Sequence, residues 1–195
     1  MVGGIGAALL IGIASSRLYD GGEWSVVIYA VCLVTMLTCS AAYNLAPPSP
    51  RRQVLRRLDH AAIFLMIAGT YTPFTASALP ATWAIATMAT VWTAALVGAF
   101  AELRFPHRLK RIDIALYIGL GWIILLAWQP LTALIGPAPA TLIIIGGILY
   151  TIGAGFHAWR TLPFQNAIWH ALVLVAAGCH YAAVLTGVVL AERTH

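Results

Sequence analysis

Charge is what this sequence has least of. Only 9% of its residues are charged and only 6 are acidic, whereas a soluble domain carries about 25% charged residues. With 61% hydrophobic residues and a mean hydropathy of +0.88, that scarcity excludes a soluble globular fold, because one core of this size cannot bury so much apolar surface. Cysteine is sparse as well. Cys32, Cys39 and Cys179 form no C-x-x-C pair, so they read as small buried hydrophobes. Lysine is nearly absent, and the excess of arginine with abundant alanine points to a GC-rich genome. The chain has no internal repeat and no low-complexity segment. The apolar blocks show no repeated charge pattern and no interior Lys or Arg to line a channel, which leaves a pore-forming protein the weakest of the functional readings.

What is present are apolar blocks of membrane-span length, each near the roughly 20 residues that a bilayer requires. Counting between breakers predicts seven spans: 1–16, 24–45, 58–79, 81–101, 112–135, 139–159 and 166–191. Pro47-Pro48, Pro80 and the Gly136-Pro137 turn separate them. The fold predicted is an all-α integral membrane protein, a seven-helix bundle forming a single domain over 1–195. The first block lacks the basic lead of a signal peptide, so it reads as a short span. The polar lead-in expected before it is missing, as if the start site were placed too late.

Arg and Lys set the orientation. Arg51, Arg52, Arg56 and Arg57 fall between spans two and three. Arg104, Arg108, Lys110 and Arg111 fall between four and five, and Arg160 between six and seven. With seven spans these share one side, leaving Arg17 and Arg193 on the other. The basic side is cytoplasmic, so the N-terminus is expected inside and the C-terminus outside. The net charge of +5 is accounted for by these loops and implies no nucleic-acid partner.

Polar residues inside spans are costly and therefore informative. Ser40 and Asn44 lie four apart at the end of span two, on one helix face. Asp59 and His60 are expected in the first turn of span three. Asn166 and His170, again four apart, open span seven. By topology, Ser40, Asn44, Asp59, Asn166 and His170 lie within about two turns of the cytoplasmic surface. Whether spans two, three and seven touch is left open. Local roles compete with a shared site: Asp59 as a first-turn acid, Asn166 as a cap, Ser40 bonded to its own helix. His60, His107 and His157 are expected to face solvent or headgroups. His180 lies about 15 Å deeper along its helix than His170, too far to share an ion.

The stretch SAAYNLAPPSPRRQVLRRLDHAAIFLMIAGTYTPF (40–74) resembles the hemolysin III family, the bacterial branch of the progestin and adipoQ receptors. The matching features are Ser40, Arg56-Arg57, Leu58-Asp59-His60 and the block Ala68-Gly69-Thr70-Tyr71-Thr72-Pro73-Phe74. NAIWHALVLVAAGCHYAAVL (166–185) is similar to the family's H-x-x-x-H segment and trailing His. The resemblance implies a zinc ion held near the cytoplasmic surface by three histidines. It places Asp59 and Ser40 beside that ion, holding or polarising a water, as catalytic candidates. It also implies lipid substrates, since adiponectin receptors and alkaline ceramidases of this wider group are linked to hydrolysis of lipid amides.

The sequence departs from that pattern at two of the three ligand positions, which are Asn44 and Asn166. Only His170 keeps its imidazole. An amide oxygen is a hard, neutral and weak zinc ligand, and a structural zinc site is worth about 10–16 kcal/mol in all. Zinc binding is thus left open with the balance against it. The alternative is a metal-free hydrogen-bond cluster of Asn44, Asp59, Asn166 and His170, or a weak site for a harder cation. The expected function is a regulatory or membrane-lipid homeostasis role in a bacterial inner membrane, with membrane lipids as partners. A metal-dependent hydrolase of lipid amides or esters is the alternative, and a pore-former the second alternative.

Overall fold

The apolar blocks fold as helices. The computed structural model describes residues 2–17, 23–105, 113–159 and 161–191, and among them there is no strand. The elements are α1 (Val2–Arg17), α2 (Glu23–Leu45), α3 (Pro50–Ala78), α4 (Ala81–Arg104) and α5 (Asp113–Trp122). A 3₁₀ stretch (Ile123–Ala127) leads into α6 (Trp128–Ile135), followed by α7 (Pro137–Ala158) and α8 (Gln165–Val184), which ends in a π turn (Leu185–Val189). Five continuous helical runs are long and apolar enough to cross a membrane: Glu23–Leu45, Ala81–Arg104, Asp113–Ile135, Pro137–Ala158 and Gln165–Val189. The molecule is a helical membrane protein. Large apolar side chains such as Val31, Ile85, Phe100, Leu126 and Leu174 point outward, as a lipid solvent allows. His107, Arg108, Lys110, Arg111, Arg160 and Arg193, used above for orientation or as surface histidines, lie outside the described residues.

Helix α3 begins eight residues before the expected Leu58. Ser49 takes extended backbone, its hydroxyl accepts the Arg52 N–H at 3.3 Å, and Pro50 fills the first helical position, a start signal in which no donor is wasted. Arg51, Arg52, Arg56 and Arg57 are therefore helical, not loop. The Arg52 guanidinium lies over the Tyr43 ring at 4.7 Å. Asp59 and His60 consequently stand in the third turn of α3, not the first, and Asp59 is no N-terminal cap.

The expected fifth span is one helical run but not one uniform α-helix. It breaks at Ile123–Ala127, and a break inside a membrane leaves backbone groups that must be satisfied from within the protein. Tyr71 of α3 does this. Its hydroxyl accepts the Ile124 N–H at 2.8 Å and donates toward the Leu120 and Gly121 carbonyls at 2.9 and 2.8 Å. The same motif holds Pro73, buried within α3, which has no N–H to give. Thr72 and Thr75 bond back to the Ala68 and Tyr71 carbonyls, and Trp92 Nε1 of α4 donates to Thr72 Oγ1 at 3.1 Å. Gly69 lets α2 approach α3 closely: a Cβ there would lie 2.7 Å from Cys32 Cβ. Helices α1 to α4 pack in sequence order, and α7 packs on α8. The three cysteines are free; Cys32 is buried as expected, while Cys39 and Cys179 are only half-buried.

Candidate functional site

Two amides join helices that are distant in sequence. Asn166 Nδ2 of α8 donates to Asn44 Oδ1 of α2 at 3.3 Å, and Asn44 Nδ2 donates to the Ser40 carbonyl at 2.8 Å. The faces carrying Ser40–Asn44 and Asn166–His170 therefore meet, which the sequence had left open. Asn166 does not cap α8: Phe164 holds the cap position, in left-handed backbone and without a side-chain cap bond. Ser40 also stands beside Asp59 of α3, across the contact between the two helices. Asp59 is buried, at 8% exposure, while Asn44 and Asn166 are exposed.

Behind the amide pair lies an interior cavity of about 180 Å³. Asp59, Asn166 and His170 reach it, together with His60, Asp113 and His157. Its deeper wall is apolar and aromatic, with Met36, Ile63, Met66, Ile67, Trp122 and Tyr150, and His180 lies at the far end. His180 is spent on structure, with Nε2 3.2 Å from the Ile143 carbonyl, and does not join the polar end. His60 and His157 correct the expectation of surface histidines. Their helices carry both rings inward, 6.5 Å apart and edge-on, with His157 stacked near Trp169 at 5.2 Å.

Beside the cavity is a cluster the sequence reading did not assemble. His60 of α3, Glu102 of α4 and Asp113 of α5 each offer one donor atom, all within 4.8 Å of one another. Glu102 and Asp113 are 1% and 8% exposed. A usable signal was present. Both acids flank the basic 104–111 segment, on the side assigned to Asp59, in a chain with only 6 acidic residues.

The positions implied for zinc do not fit it. Of the three, only His170 has an imidazole, and the amides at the other two are engaged with each other and with Ser40. Asn44 Oδ1 already accepts a hydrogen bond, and the neutral oxygen left at Asn166 is a weak zinc ligand. No chemical step is assigned to a zinc ion there. Asp59 and His170 remain part of the polar wall of the cavity, able to bind and orient a polar group, with Ser40 behind Asp59.

A family model described as haemolysin-III related matches residues 2–181. The chain is 33% identical to the hemolysin-3 homolog of Bacillus subtilis (strain 168), over 85% of this chain and 79% of that protein. It is 41% identical to hemolysin-3 of Bacillus cereus, over 66% of this chain and 58% of that protein. A more distant similarity, 23% identity over 92% of this chain and 76% of the relative, connects it to the human monocyte to macrophage differentiation factor.

Proposed function

Because the chain belongs to the haemolysin-III-related family, we propose that it is a single-domain, seven-span protein of a bacterial inner membrane. In this reading it binds a membrane lipid, or a lipid-derived amphiphile, in a regulatory or lipid-homeostasis role. The N-terminus is cytoplasmic and the C-terminus outside, with the basic helix start at Arg51–Arg57 facing the cytoplasm. The observation that carries the reading is the cavity: apolar and aromatic along its depth, with Asp59, His60, Asp113, His157, Asn166 and His170 gathered at one end. A chain with a polar head suits that distribution. The paired amides of Asn44 and Asn166, where the family pattern calls for metal-binding imidazoles, favour binding over hydrolysis.

The test is lipid retention. The protein is purified in mild detergent and its bound lipids are counted by mass spectrometry, beside Ala154→Trp, which places an indole in the cavity wall. The reading expects a lipid class enriched at least fivefold over bulk membrane in the wild type and lost in the variant. Equal lipid profiles in the two proteins would overturn it.

A second reading, hydrolysis of a lipid amide or ester, is favoured by one observation. Asp59, with Ser40 beside it, lines the same cavity as His170, a carboxylate able to orient water or take its proton. Turnover of a fluorescent lipid amide by the reconstituted protein, abolished in Asp59→Asn, would establish it.

A further inference from the structure

The side chains of His60, Glu102 and Asp113 converge from three helices on one point. His60 Nδ1 lies 3.5 Å from Glu102 Oε1 and 3.9 Å from Asp113 Oδ2. These separations are too long for good hydrogen bonds, and the buried His60 Nδ1 has no hydrogen-bond partner. They are close to what a bound cation imposes: ligands held at about 2.1 Å in tetrahedral geometry stand roughly 3.4 Å apart. With all three atoms within 4.8 Å of one another, side-chain rotation that draws them inward would bring them onto one ion.

The surroundings favour a cation at that point. The side chains of Glu102, Asp113 and His60 are 2%, 12% and 15% exposed, so an ion at that point would sit inside the bundle, where charge is weakly screened. The Asp113 carboxylate is already oriented, because its Oδ1 accepts the Ile114 N–H at 2.8 Å and leaves Oδ2 toward His60. Tyr117 fixes α5 to α3 by donating to the His60 carbonyl at 3.2 Å. Arg56 and His157 also face His60 and, among the described residues, compete with a cation for this field. Access exists on two sides. His60 and Asp113 line both the interior cavity and a more polar recess bounded by Gln53, Arg56 and Arg57.

We propose that His60, Glu102 and Asp113 bind one divalent first-row transition ion. One imidazole with two carboxylates is a donor set suited to Mn²⁺, Fe²⁺ or Zn²⁺, with the oxygen majority inclining it to the harder ions. Its positions not taken by protein face the cavity. The site lies on α3, α4 and α5, apart from the amide pair on α2 and α8, and does not depend on the lipid reading: metal content and lipid content can fail separately.

The experiment uses the full chain in detergent, stripped with chelator and dialysed against Mn²⁺ or Zn²⁺. Metal is counted by mass spectrometry, and bound Mn²⁺ is followed by electron paramagnetic resonance. The proposal expects about one ion per chain, with Kd raised at least tenfold in Glu102→Gln and in Asp113→Asn and unchanged in His170→Ala. It also expects added metal to raise the Tm of the wild type and not that of Glu102→Gln, since a ligand bound only by the folded state stabilises it. If Glu102→Gln fails to fold, Asp113→Asn, whose side chain is more exposed, carries the comparison. A wild type that binds neither metal, carboxamide variants that bind as the wild type does, or binding lost only in His170→Ala would each overturn the proposal.

Discussion

Tyr71 does at the residue scale what the membrane makes obligatory. Its hydroxyl serves the Ile124 N–H and the carbonyls beside it, where the fifth predicted span breaks. Tyr71→Phe keeps the ring and removes the hydroxyl, leaving buried backbone groups unpaired at a cost of about 1–3 kcal/mol. The expected outcome is a lower thermal unfolding midpoint in detergent with an unchanged helical circular dichroism spectrum; an unchanged midpoint would refute the role. Asn44 and Asn166 are a residue-scale matter too. Restoring imidazoles with the double substitution Asn44→His/Asn166→His is expected to add one zinc per chain beyond the wild-type content. That added zinc should be lost on further His170→Ala and kept on further Glu102→Gln. No added zinc would mean that these positions do not converge on His170.

At the scale of elements, α3 organises the molecule. It starts early because Ser49 and Pro50 give it a cap, and so it carries Arg51, Arg52, Arg56 and Arg57 on its first turns. It lies close to α2 because Gly69 faces Cys32. Gly69→Val would force β-branched atoms into Cys32, an overpacking that costs about 1–3 kcal/mol in a close-packed core. The expected readout is a lowered midpoint, partly restored by Cys32→Ala, which removes the Sγ 2.8 Å away and leaves the Cβ contact. A Gly69→Val protein as stable as the wild type would show that the helices can separate freely there.

At the scale of the whole molecule, the proposed topology makes opposite demands on two turns. With Cys32, Cys39 and Cys179 replaced by alanine, a single cysteine at Pro48 should react with a membrane-impermeant maleimide only in inside-out vesicles. One at Gly136 should react only in right-side-out cells. Labelling of both from one side would overturn the span count. The same orientation puts the amide pair, the polar end of the cavity and the His60, Glu102, Asp113 cluster all near the cytoplasmic face.

Much of this was legible in the sequence, for reasons that differ from site to site. Scarce charge and apolar blocks determine a helical membrane protein, because a bilayer lets few structures satisfy the backbone. The resemblance of residues 40–74 and 166–185 led to the family. Spacing alone paired Ser40 with Asn44 and Asn166 with His170, since residues four apart share a helix face. Other features were decided by packing between helices, which periodicity does not encode. The break in the fifth span has a local marker in Pro130, whose missing N–H leaves the Leu126 carbonyl without its helical partner, but what makes the break tolerable is a phenol some fifty residues earlier. His60 and His157 read as surface residues near a basic segment, and only the rotation of α3 and α7 turns them inward. Glu102 and Asp113 stood in plain view as two of the few acids, but what makes them a site is their meeting with His60 across three helices. The sequence by itself determined the solvent, the helices and the amides at two metal positions. The tertiary structure alone decided which polar groups face one another, because in a membrane bundle that depends on the rotation of each helix against its neighbours.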